Sequence, residues 1–305
     1  MPVDLVKDAA GWDILVLRES RGASAVIYLY GGQVTSWKNG QGDELLFMSS
    51  RGTHKSSKTM RGGIPICFPQ VGNLGPSEIQ GLARCRFWTI DSNPPPPPLN
   101  GIKTYADLLL KPTDDDLKTW PYNFELRLRV ALGISSLTLT TRVRNIDKSK
   151  TFSFNFALQT YLSVSDISEV RIEGLETSDY FDNLRNKERR TEQGDALTFD
   201  GEIDRVYLST PTKIAIIDHE KKRTLVLKKE GFPDAGVWNP WDKKSKAIPD
   251  IGDDDFKRML CVEAAAVERP IVLKPGEEWK GRQEIAAVSS SYCSGQLDPQ
   301  LVLHG

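Results

Sequence analysis

The stretch Phe124 to Leu132 (FELRLRVAL) alternates apolar and charged residues with a period of two, and Leu137 to Val143 (LTLTTRV) repeats the pattern after a short break. A period of two sends successive side chains to opposite faces of a strand, so each run describes a strand with one face in a core and the other in water. Ala25 to Tyr30 (AVIYLY, closed by Gly31-Gly32), Thr151 to Ala157 (TFSFNFA), Lys213 to Asp218 (KIAIID) and Thr224 to Lys228 (TLVLK) continue the series. Helical periodicity is scarce; Phe181 to Lys187 and Asp253 to Met259 have room for a turn or two. Many short strands separated by turn signals predict an all-β, antiparallel sandwich rather than alternating βαβ units. The 305 residues suit one such domain over 1–305, since no internal repeat or composition shift marks a boundary.

Lys and Arg number 40 and Asp and Glu 41, for a net charge of −1. Such a balance attracts neither nucleic acid nor an anionic membrane, so an anionic ligand has to be held by a local basic cluster. The four cysteines, Cys67, Cys85, Cys261 and Cys293, form no CxxC pair, and with three histidines in the chain no metal site is expected. They read as reduced thiols of a cytoplasmic protein. The N-terminal MPVDLVKDAAGWD has neither the apolar core of a secretory signal nor the character of a transit peptide. No run approaches the ~18 apolar residues of a membrane span. Pro94 to Pro98 form a stiff polyproline II connector. It reads either as an SH3 or WW ligand or as a rigid surface loop, and its mid-chain position favours the loop. The polar tail from Ser289 to Gly305 is expected to wrap the surface or fray.

Six segments hold residues suited to chemistry. In Arg61-Gly-Gly-Ile-Pro-Ile-Cys-Phe-Pro69 two glycines let the backbone turn sharply and approach a ligand closely. The arginine fork suits a phosphate or paired sugar hydroxyls, the alternative being a β-bulge with a surface arginine. Gln80-Gly-Leu-Ala-Arg84-Cys-Arg86-Phe-Trp88 follows a loop rich in Gly, Asn and Pro from Gly72 to Ser77. As a strand it would set Arg84 and Arg86 on one side, either to clamp an anion or as a solvated face. Asn155 and Gln159 in FNFALQTY share a parity if their strand is regular, and a buried amide there bonds a ligand or satisfies neighbouring backbone. Asp204 lies just before a strand, and Trp238-Asn-Pro-Trp241 offers aromatic faces for a sugar or for the core. Glu263 in MLCVEAAA is one carboxylate in an apolar run; burial would raise its pKa, a condition that suits a general base.

RGGIPICFP, the GLARCRFW segment, FNFALQTYLSVSDI, the element around Asp204, VWNPWDKK and CVEAA occur in this order in the hexose-6-phosphate 1-epimerases of the aldose-epimerase superfamily. The chain resembles that family over nearly its whole length, most closely its plant-type, apospory-associated protein C-like members. The resemblance implies a galactose mutarotase-like β-sandwich, a hexose 6-phosphate as small-molecule ligand, no cofactor, and a monomer. It also implies roles. Arg61 and Arg84 hold the phosphate and hydroxyls, and Asp204 binds the sugar; Trp238, from its own chemistry, is counted with the substrate-binding residues. Glu263 is the base that takes the O1 proton. Gln80 and Gln159 stand where the family keeps histidines, the second of them the acid that protonates the ring oxygen. Leu82 and Cys85 likewise replace the usual Phe and Asn.

Mutarotation needs both partners, because a base takes the O1 proton while an acid delivers one to the ring oxygen. An imidazole can do the latter near neutral pH; an amide donates a hydrogen bond but releases no proton. General acid catalysis contributes about 10²–10⁴-fold. The expectation is therefore an epimerase of reduced activity, with a non-catalytic sugar-phosphate binder as the alternative. None of His54, His219 and His304 is placed as a substitute.

Overall fold

The structure is a computed structural model and describes residues 2–52, 60–72, 80–97 and 104–289. His54, Ser77, Pro98, Cys293, His304 and the tail beyond Ser289 lie outside the described residues.

Every strand pair is antiparallel. A four-stranded meander runs Val3–Lys7, Asp13–Arg18, Ser24–Tyr28 and Gln33–Lys38. A nine-stranded sheet has the order Leu197–Thr198, Val170–Glu173, Lys213–Asp218, Arg223–Glu230, Glu278–Ser289, Ser136–Asn145, Phe124–Leu132, Thr104–Leu110, Thr89–Ile90. A seven-stranded sheet has the order Glu188–Thr191, Asp179–Asp182, Ile203–Tyr207, Asp234–Asn239, Met259–Leu273, Phe152–Ser163, Ile66–Cys67. The expected all-β, antiparallel architecture is thus the one observed.

The alternating runs do what their period dictates. Leu126, Leu128 and Val130 are fully buried, while Glu125, Arg127 and Arg129 between them form ion pairs with Lys111, Asp91 and Asp107 on the outer face. The core fills the space between the two large sheets. Phe156 and Phe154 of the smaller sheet meet Trp279 of the larger at ring separations of 5.2 and 5.7 Å. A buried bond from Gln283 Nε2 to Thr160 Oγ1, 2.8 Å, crosses the same gap.

Two short helices escape the strand pattern. Asp114–Thr119 starts at a reciprocal cap between Thr113 and Asp116, a form of the Ser/Thr-x-x-acid signature. Trp241–Ala247 follows Pro240 directly. Phe181–Lys187 divides into a strand end and a 3₁₀ turn at Asn183–Arg185, and Asp253–Met259 contains the 3₁₀ turn Asp255–Arg258. The described prolines of the run lie across the outer face of the larger sheet. Arg129 donates to the carbonyls of Pro95 and Pro96 at 2.7 and 2.6 Å, holds Asp107, and stacks 4.8 Å above the Tyr105 ring. That is the geometry of a pinned surface loop.

Candidate functional site

Register alone assembles the site. On the face of the seven-stranded sheet away from the core, Gln159 stands opposite Glu263, and Glu263 stands opposite Gly236. Two residues along, Tyr161, Cys261, Trp238 and Asp204 form a second row across four strands. The residues between the rows, Thr160, Val262 and Val237, point into the core. Glutamine, glutamate, tryptophan and aspartate from distant parts of the chain are therefore brought onto one surface by strand pairing.

Glu263 is the centre of this arrangement. Its Oε1 accepts from Gln159 Nε2 at 2.9 Å and from the Cys261 thiol at 3.7 Å. Burial pushes its pKa up to about 7; the Gln159 bond opposes the shift, the Asp204 charge adds to it, and Cys261 and Arg84 oppose it. The carboxylate leans over Gly236, where a Cβ would stand 2.9 Å from Oε2. Sequence reading passed over Gly236, although a glycine inside a strand run is a known mark of close approach. Gln159 is 7% exposed, and its Oε1 is buried with no hydrogen-bond partner among the described residues. A buried acceptor of this kind has a cost of about 1–3 kcal/mol unless a ligand hydroxyl or water fills it.

Arg61 reaches the second row from the bridge region beside Met48 and Gly62. Its Nε and Nη2 each donate to Asp250 at 3.2 Å, and its Nη1 donates to the Tyr161 hydroxyl at 3.3 Å. Burial would lower its pKa, but Tyr161 and Asp250 more than reverse this, so the cation is secure. The two glycines after it approach neighbouring strands, not a ligand: a Cβ on Gly62 would lie 2.4 Å from the Phe47 carbonyl, and on Gly63 2.1 Å from that of Val34. With its side chain mostly covered, Arg61 is not a surface arginine on a bulge.

Arg84 lies in a 3₁₀ turn, Ala83–Cys85, and is 8% exposed. Its charge reaches Glu263, Tyr161 and Cys67, opposing the upward push of burial on each. Because the backbone there is a turn, the strand parity that paired Arg84 with Arg86 does not exist. Arg86 turns instead to Asp116, bonding it at 2.8 Å through Nε. Gln80 has a left-handed backbone (φ 66°), and its Oε1 accepts from the Gly72 N–H at 2.9 Å while its own N–H bonds the Gly72 carbonyl at 3.0 Å. It closes a loop, and no bond joins it to Glu263 or Gln159 among the described residues.

Asp204 accepts from Asn183 Nδ2 at 2.7 Å. Burial raises its pKa, Asn183 and Lys244 oppose that, and Asp182 adds to it. Trp238 meets Tyr161 edge-on at 6.1 Å and packs on Phe47, Met259 and Cys261, leaving part of its surface uncovered. Asn155 shares the face of Gln159, since Phe152, Phe154, Phe156 and Leu158 alternate into the core, but it stands where the partner strand shifts register, and its Nδ2 bonds the carbonyls of Ala266 and Val267 at 3.2 and 3.1 Å. It stabilises the bulge. His219, the one described histidine, sits in a turn of the other sheet. Cys67, Cys85 and Cys261 carry free thiols. Among the described residues no three His, Cys, Asp or Glu side chains group as a metal site, and no helix is long and apolar enough to cross a membrane.

The comparisons with known proteins agree with this geometry. Residues 13–286 match the family model described as aldose 1-epimerase. The chain is 63% identical over 305 residues to "Putative glucose-6-phosphate 1-epimerase" of Cenchrus ciliaris, covering 99% of this chain and 93% of that one. A protein of the same name in Escherichia coli (strain K12) is 29% identical over 83% of each chain. Among solved structures, a "putative mutarotase" of Salmonella typhimurium superposes with a TM-score of 0.82 at 23% identity, over 94% of this chain and 97% of the other. A galactose mutarotase-like protein of Clostridium acetobutylicum gives 0.74 at 16% identity, over 94% and 98%. The fold is that of the galactose mutarotases. The chain belongs to the aldose 1-epimerase family, whose members are sugar-epimerising enzymes.

Proposed function

We propose that the protein binds a hexose 6-phosphate on this sheet face and interconverts its anomers slowly, as a cytoplasmic, single-domain monomer. The observation that carries the reading is the Glu263–Gln159 pair: a buried carboxyl with its pKa raised to about 7, bonded at 2.9 Å to an amide. A carboxylate poised near neutrality can take the O1 proton and return it. As it does so, the C1–O5 bond breaks, its electron pair passes to O5, and C1=O1 forms. Rotation about C1–C2 and reclosure give the other anomer. Gln159 contributes hydrogen bonds to this process but no proton, which makes the step slow. Trp238 and Asp204 are read as the sugar-binding wall, and Arg61 and Arg84 as the cationic side of the site. Gln80 is read as a clasp on Gly72 at the edge of the site.

A second reading, a non-catalytic sugar-phosphate binder, is favoured by the same amide at Gln159. Saturation-transfer NMR of the glucose 6-phosphate anomers separates the two. Exchange above the uncatalysed rate supports the epimerase; binding without exchange supports the binder; neither rules out both.

A further inference from the structure

A sugar phosphate brings about −1.5 to −2 charges at neutral pH, and the site has to meet them. Arg61 is poorly placed to do so alone. Both arms of its fork that face Asp250 are already taken by that carboxylate, so the pair is close to neutral. Three other cations along this border are spent in the same way: Arg51 on Asp253 at 3.0 Å, Lys246 on Asp242 at 2.7 Å, Lys257 on Asp254 at 2.7 Å.

Lys244 is different. It lies on the short helix Trp241–Ala247, whose two ends are both tied to the site. The helix begins three residues after Trp238, the strand partner of Asp204, and three residues past its end Asp250 grips Arg61. Lys244 is exposed, and while its carbonyl accepts from the Ile248 N–H at 3.1 Å, its ammonium forms no hydrogen bond or ion pair among the described residues. Its charge reaches both Asp204 and Glu202, opposing the effect of burial on each carboxyl. An ammonium that touches no carboxylate, standing beside the acidic wall of a sugar site, is free to take an anionic substituent of that sugar.

We propose that Lys244 makes this site prefer a phosphorylated sugar to the free sugar, its ammonium binding the 6-phosphate where Asp250 has already occupied Arg61. The inference rests on the hexose-phosphate reading above. It assigns Asp204 to hydroxyls and Lys244 to the phosphate, so the two charges serve different parts of one ligand. A point-charge ammonium suits this task, since it needs no fixed bidentate geometry.

The test compares full-length protein with Lys244→Gln and Lys244→Arg, measuring dissociation constants for glucose 6-phosphate and for glucose. Lys244→Gln is expected to weaken glucose 6-phosphate roughly tenfold and glucose by less than about twofold, from the usual strength of a charge-assisted bond. Lys244→Arg, which keeps the charge, is expected to restore most of the loss. The slope of log affinity against log salt should be shallower in Lys244→Gln than in the parent. Equal losses for both sugars, or no loss for either, overturn the proposal while leaving the hexose-phosphate reading in place. Unmutated protein that binds both sugars equally removes that reading, and Lys244 with it.

Discussion

Gln159 and Glu263 are direct cross-strand partners, joined by a 2.9 Å bond from Nε2 to Oε1. The pairing fixes position 159 next to the base in the way an i, j pair on one sheet face always does. In the proposed reaction Glu263 serves O1 and position 159 serves the ring oxygen O5 of the same sugar, so a change at 159 acts beside the base.

Gln159→His is therefore expected to raise the anomerisation rate about 10²–10⁴-fold, the usual range for general acid catalysis. Affinity should change little, because the substitution supplies a titratable proton donor and does not rebuild the site. Adding Glu263→Gln should remove the gain, since the acid is useless without a base for the O1 proton. NMR exchange rates at saturating glucose 6-phosphate measure both. A folded, ligand-binding Gln159→His protein with no increase would refute the role given to position 159.

Asp250 presents a carboxylate to the fork of Arg61 that a phosphate would also use. Asp250→Asn removes one negative charge from beside the ligand. Even in water-like surroundings a unit charge at 4 Å is worth about 1 kcal/mol, so glucose 6-phosphate should bind roughly fivefold tighter. Glucose should be unaffected. Weaker binding of both sugars would mean that Asp250 holds Arg61 in its working position rather than competing for it. Isothermal titration of the two sugars distinguishes these outcomes.

Gly63 has a φ of 61°, and a Cβ there would sit 2.1 Å from the Val34 carbonyl and 3.0 Å from the Thr35 Cα. Both obstacles are backbone, so nothing flexible can yield. Gly63→Ala is expected to destabilise the fold by roughly 2–4 kcal/mol, read as a lowered denaturant midpoint. An unchanged midpoint would show that the bridge between Val34 and Ile64 can shift.

The sheets were legible in the sequence because alternation is a local signal with one physical meaning. Phe124–Leu132 and Lys213–Asp218 are strands over the residues their pattern marks. Glu263 was legible for a related reason, as an ionisable group in an apolar run announces an unusual environment. What failed was parity extended through irregular backbone. Arg84 and Arg86 straddle a turn, so period two does not hold there. Asp250 and Lys244 were not singled out because each gains its meaning from a partner far away in sequence. Arg61 is 189 residues from Asp250, and no pattern along the chain announces that contact.

Glu263 also sets the pH behaviour. Its pKa rises from an ordinary 4.5 to about 7, chiefly through burial. As a base it works in the ionised form, so the rate should climb with pH and level off above about 7. Stability moves the other way. Between about pH 4.5 and 7 the folded state holds a proton that the unfolded state has released, and folding becomes less favourable as pH rises across this window. Below it both states are protonated and the effect is absent; above it the full cost is present and constant. Glu263→Gln removes the ionisable group and should flatten both curves. The variant should gain stability over the parent at pH 8 and differ little from it at pH 4, while losing anomerisation at both. Thermal melts at the two pH values, alongside exchange rates across the range, make the comparison. A parent whose stability does not fall from pH 4.5 to 7 relative to Glu263→Gln would show that Glu263 titrates at an ordinary value, and the case for it as a base poised near neutrality would go with it.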